Sequence, residues 1–157
     1  MVSGVKVREV FSKLLVEWEM CAMDSVGLSR GHLSAWNPSS LKAFPFLSSV
    51  GILLEGLSWN WNRSLSLINY YGPYTECIDF WKEVEVDGIL KSSNVILGGD
   101  LNLTLLVREV WGAHICLNTL ASFFNNFFGY EGLVDVALAP LLLTWSNGRS
   151  GDDGVAK

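Results

Sequence analysis

The chain predicts an α/β fold of the mixed (α+β) kind, and three segments lead to that expectation. Leu65–Pro73 (Leu-Ser-Leu-Ile-Asn-Tyr-Tyr-Gly-Pro), Asn94–Leu103 (Asn-Val-Ile-Leu-Gly-Gly-Asp-Leu-Asn-Leu) and Leu141–Arg149 (Leu-Leu-Leu-Thr-Trp-Ser-Asn-Gly-Arg) each run apolar and then finish in polar groups and glycine. Short apolar runs that stop at Gly, Pro or Asn are strands ending in turns. Around them lie stretches with apolar residues at helical spacing. No repeat, low-complexity tract or linker divides residues 1–157, so one domain, or most of one, is expected.

Taken in order, Lys6–Val16 places Val7, Val10, Phe11, Leu14 and Leu15 on one side of an amphipathic first helix. Short strands are expected at Glu17–Met23, Gly31–Trp36, Ser49–Gly56 and Ser64–Tyr70, joined by turns rich in Gly, Ser, Asn and Pro. Thr75 is placed to cap a helix over Glu76–Leu90, with Ile78, Trp81 and Val84 among its apolar positions. Val95–Leu97 is a β-branched run closed by Gly98-Gly99, the signature of a buried strand. A further helix is expected over Leu117–Phe128. Its Phe123, Phe124, Phe127 and Phe128 form a core stripe, because a base-stacking platform would need a basic groove beside it. Trp36, Trp81 and Trp145 are packing anchors, whereas Trp59 and Trp61 flank Asn60 in a strand-end loop and are expected to be partly exposed.

The chemistry concentrates at the strand ends. If the backbone stays extended past Gly99, Asp100 and Asn102 point to one face and Leu101 turns inward. The plain alternative is an ordinary turn in which the Asp caps a helix or braces a loop. Tyr71 closes the Leu65 strand and Thr144 lies in the Leu141 strand, so three strand tips could assemble one site, with loops carrying the chemistry.

The order Asn-Tyr-Tyr-Gly-Pro, Gly-Gly-Asp-Leu-Asn, Leu-Val-Asp and Thr-Trp-Ser-Asn-Gly-Arg resembles the endonuclease domain of plant LINE-type, non-LTR retrotransposons. That domain belongs to the endonuclease/exonuclease/phosphatase superfamily, with DNase I and the apurinic/apyrimidinic endonucleases. The resemblance runs from about Trp18 to Lys157 and includes Gly27–Pro38, similar to the family's Gly-rich hairpin before a Trp-Asn pair. It implies a DNase I-like sandwich of two facing mixed β-sheets with outer helices, and a site at the sheet rim. It implies that Asp100 orients or deprotonates the attacking water, that Asn102 holds a phosphate oxygen, that the Tyr71 phenol lies near the scissile phosphate, and that Thr144 sits beside a DNA-facing cleft. Mg2+ is the family's cofactor and DNA its partner.

Two family segments have no match here, so a partial domain is expected. The family's Gln-Glu-Thr-Lys-like motif, which brings the Glu that binds metal, is absent, as is its Ser-Asp-His motif. Glu17 and Glu19 are the nearest carboxylates to the gap, and both are better explained as solvated strand charges. The expected function is a fragment of a metal-dependent phosphodiesterase, a DNA endonuclease derived from a retrotransposon, with little or no activity as it stands. The alternative is a non-catalytic remnant or interaction protein. A phosphatase of the same superfamily shares the Gly-Asp-x-Asn segment, but the hairpin and the Thr-Trp-Ser-Asn-Gly-Arg stretch favour the nuclease.

Composition bounds these expectations. Only 17% of residues are charged while half are hydrophobic, which leaves little polar surface and predicts self-association through open sheet edges. The net charge of −5, with 11 scattered basic residues, gives no electrostatic footprint for nucleic acid, so DNA binding follows from the resemblance alone. Cys21, Cys77 and Cys116 are far apart and read as buried thiols of a reducing compartment, not as zinc ligands or disulfides. His32 and His114 read as surface or partly packed residues. With no signal-like apolar segment and no span long enough for a bilayer, a soluble intracellular protein, nuclear or cytoplasmic, is expected.

Overall fold

A computed structural model describes residues 3–24, 31–48, 50–73, 75–106, 109–112, 119–136, 146–149, 151 and 155–156. The chain divides into two compact units, Met1–Asn102 and Leu103–Lys157.

The first unit holds α1 (Gly4–Leu14), β1 (Glu19–Met23), β2 (His32–Trp36), β3 (Leu41–Ser48), β4 (Gly51–Ser58), β5 (Arg63–Tyr71), α2 (Cys77–Val86), a short 3-10 turn (Ile89–Lys91) and β6 (Val95–Asp100). β1 and β2 form an antiparallel ribbon, and the other four make a sheet in the order β3-β4-β5-β6. The first three of these are antiparallel, whereas β6 returns through α2 to lie parallel to β5. A parallel neighbour requires such a crossover, and α2 supplies it.

Pairing register assigns the faces, because directly paired residues and alternate residues along a strand share one side of a sheet. On one face Ile52 lies opposite Asn69, Leu54 opposite Leu67 and Gly56 opposite Leu65. There Leu41, Ala43, Ile52, Leu54 and Leu65 bury themselves in one cluster with Cys21 of β1 and Trp36 of β2, so the ribbon covers that face. On the other, Ile68 and Tyr70 are buried, and Tyr70 meets Phe80 of α2 edge-on with ring centroids 6.2 Å apart. Trp81 and Val84 are the buried residues of α2. Trp36 and Trp81 are thus the anchors their sequence context suggests, and Trp59 and Trp61 are 51% and 63% exposed in the β4–β5 loop, as expected.

Several boundaries differ from expectation. β3 was not foreseen: Pro45 argues against a strand, and apolar residues occupy both faces over Phe44–Leu47, which hides the alternation. It forms because it is the outermost strand, where a missing ladder N–H is tolerated. Thr75 does not cap α2. The N-cap is Glu76, in the left-handed region with φ 57° and no side-chain cap bond. Nor does one helix span Glu76–Leu90, since Gly88 at φ 68° separates α2 from the 3-10 turn. α1 forms as expected, capped by the Ser3 hydroxyl accepting from the Lys6 N–H, yet none of its residues is buried.

In the second unit β7 (Trp111–Gly112) pairs antiparallel with β8 (Val155–Ala156), and α3 spans Ala121–Tyr130. Phe124 and Phe127 are buried and the four phenylalanines pack on one another, so the stripe is a packing stripe. The Leu141–Trp145 segment, including Thr144 and Trp145, lies outside the described residues, as do His114, Cys116 and Leu117. Among the described residues no helix is long and apolar enough to cross a membrane.

Candidate active site

The parallel β5–β6 pair ends on a rung in which Tyr71 lies opposite Asp100. Both side chains therefore project from the face that carries Ile52 and Leu54, the face the ribbon covers. Asp100 is exposed and Tyr71 half-buried, as fits the rim of a sheet. Asn69, two residues before Tyr71, shares this face. Its Nδ2 donates to the Leu33 carbonyl and to the Ser34 hydroxyl, each at 3.1 Å, which ties β2 across the sheet. The next residue along β2, His32, consequently meets Tyr71 edge-on, with ring centroids 6.2 Å apart and planes at 88°.

Past Asp100 the backbone does not stay extended, and that expectation is corrected. β6 ends at Asp100, and Asn102 adopts the left-handed conformation with φ 51°. Asn is among the few residues that enter this region readily, and here its side chain is tied back to the neighbouring strand. The Gly72 N–H donates to the Asp100 carbonyl at 2.8 Å, and Asn102 Nδ2 donates to the Gly72 carbonyl at 2.5 Å. The Asn102 amide thus takes the place of a further ladder rung. Glycine is needed at this approach, because a Cβ on Gly72 would stand 2.0 Å from the Leu101 carbonyl oxygen.

Of the four residues nominated from the strand pattern and the family resemblance, Tyr71 and Asp100 are brought side by side. Asn102 is joined to them through Gly72 but committed by one N–H to the backbone, and Thr144 lies outside the described residues. Sequence reasoning passed over Asn69 and the proximity of His32. Asn69 had a signal, since it shares Tyr71's parity along the strand. His32 had none, because its contact arises only when ribbon and sheet pack together.

The electrostatics separate the two faces. Burial lowers the His32 imidazole below the usual histidine value, so the ring is uncharged at neutral pH. Burial, and behind it the Asp87 carboxylate, raises the Tyr70 phenol on the opposite face.

No family model matches the chain, and no curated protein matches it. Among solved structures it is similar to the endonuclease domain of TRAS1, a telomere-specific non-LTR retrotransposon. The TM-score is 0.63 at 12% sequence identity, covering 91% of this chain and 68% of that one. The fold is DNase I-like.

The donors at the rim bear on the Mg2+ that the sequence resemblance implies. Asp100 is the single carboxylate on the rim rung. Glu19 accepts a bond of 2.8 Å from the Trp36 indole N–H. It pairs with Trp36 at the end of the ribbon opposite the Met23–His32 rung, four residues and roughly 13 Å along the strand from the rim. Glu17 sits in a turn at φ 68° before β1 begins. Among the described residues, no group of three or more His, Cys, Asp or Glu side chains gathers where it could hold an ion. One carboxylate with an amide and a phenol does not make a magnesium site without further ligands, so no chemical step is assigned to a metal here.

Proposed function

We propose that the rim at the ends of β5 and β6 is directed at a phosphodiester, and that the chain is a DNA endonuclease domain of retrotransposon descent, of the plant LINE type, with little hydrolytic activity as it stands. The pairing of Tyr71 with Asp100 on one rung at the sheet rim carries this reading. Hydrolysis of a phosphodiester needs a group that accepts a proton from water and donors that meet charge on the non-bridging oxygens. The exposed Asp100 carboxylate suits the first role and the Tyr71 phenol the second. The N–H of Asn102 that is not directed at Gly72 supplies another donor.

The net charge of −5 opposes long-range attraction to DNA, which fits slow or absent turnover. The lone rim carboxylate supports slow chemistry, and it favours the second reading, a remnant that retains the fold without catalysis. Nicking of supercoiled plasmid with added magnesium separates the two. The chain is expected to nick slowly and its Asp100→Ala variant on the order of a hundredfold or more slower, the usual scale for losing a proton acceptor. Equal rates, or none from either protein, would leave the remnant.

A further inference from the structure

Resting on the phosphodiester reading, we propose that His32 is a positioning residue of the same site, setting the Tyr71 ring in the orientation in which its phenol meets the phosphate. Three observations on different elements support it. The His32 and Tyr71 rings stand at 88° with centroids 6.2 Å apart, the edge-to-face geometry in which one aromatic ring restrains another. The strand that carries His32 is fixed across the sheet by both bonds from Asn69 Nδ2, so the imidazole is delivered by a braced element. Tyr71 is itself held at the backbone, its N–H donating to the Val50 carbonyl at 3.2 Å, so the ring starts from a fixed strand position. The neighbouring imidazole ring then bears on how the phenol is turned.

An uncharged imidazole suits this role, because it packs against the phenol as a plain aromatic ring. A ring of similar size at position 32 should preserve the arrangement, and a methyl group should not.

Nuclear magnetic resonance of the full chain with the dithymidine phosphodiester TpT as probe tests this without requiring turnover. In the natural chain TpT is expected to shift the Tyr71 ring resonances and the Asp100 amide. His32→Phe should bind TpT within about twofold of the natural chain, and His32→Ala about three- to tenfold more weakly, the scale of one aromatic contact. The free His32→Ala protein should also show displaced Tyr71 ring signals at an unchanged urea midpoint, a signature that general destabilisation would not give. If His32→Ala leaves both TpT affinity and the Tyr71 signals as they were, this inference is overturned while the phosphodiester reading stands. If TpT disturbs neither Tyr71 nor Asp100 in the natural chain, the phosphodiester reading falls and takes the inference with it.

Discussion

Tyr71 and Asp100 are direct partners on the last rung of the β5–β6 pair, while Tyr70, one residue earlier, faces the other way against Phe80. Two adjacent tyrosines are thereby divided by the pleat. One belongs to the core beneath α2 and the other to the rim, and the predictions follow that division.

The glycines near the rung are not equivalent. A Cβ on Gly99, which sits at φ 117°, would lie 2.0 Å from the Tyr70 carbonyl oxygen, whereas one on Gly98 would meet nothing within 4 Å. Gly99→Ala is expected to cost about 2–3 kcal/mol through clash and backbone strain, and Gly98→Ala to stay within about 0.5 kcal/mol of the natural chain. Urea midpoints at constant m-value measure both.

Asn102 contributes through its left-handed backbone and through its bond to Gly72. Asn102→Gly keeps the conformation and loses the bond, for an expected cost of about 1 kcal/mol. Asn102→Ala loses the bond and must also place a Cβ in the left-handed region, adding about 1 kcal/mol more. If the two variants unfold at the same urea concentration, the backbone part of this account is wrong.

Stability at alkaline pH should depend on Tyr70. Its phenol is raised above the usual value of 10.0 by burial and then by Asp87, so the folded state holds the proton longer than the unfolded chain does. The stability this contributes is fully present below about pH 10 and is lost as pH rises through the folded value. Tyr70→Phe should flatten that loss when urea midpoints at about pH 9 and about pH 11 are compared.

The outermost strand β3 exposes Phe44, Phe46 and Leu47. Apolar side chains on a sheet edge favour pairing with another chain, so size-exclusion chromatography with light scattering is expected to show mass rising with concentration. Phe46→Lys, which places a charge on that edge, should lower the mass toward the monomer. A monomer at every concentration in the natural chain would contradict the proposed self-association.

By itself the sequence determined which stretches become strands and helices wherever the signal is local. The alternating run before Gly72-Pro73 became β5 and the Phe stripe became the packed face of α3, because backbone preference and side-chain burial act there over a few residues. The Val95–Leu97 run, by contrast, became a strand that continues through Gly98-Gly99 to Asp100 and, lying at the sheet edge with Ile96 48% exposed, is not the buried strand expected. The tertiary structure alone decided what depends on neighbours distant in the chain. Pro45 is accepted in β3 because, among the described residues, that strand has a partner on one side only. Asn102 turns left-handed because the Gly72 carbonyl offers its amide a partner. His32 meets Tyr71 because Asn69 draws the ribbon over the sheet, a contact between residues 39 positions apart that no local spacing encodes.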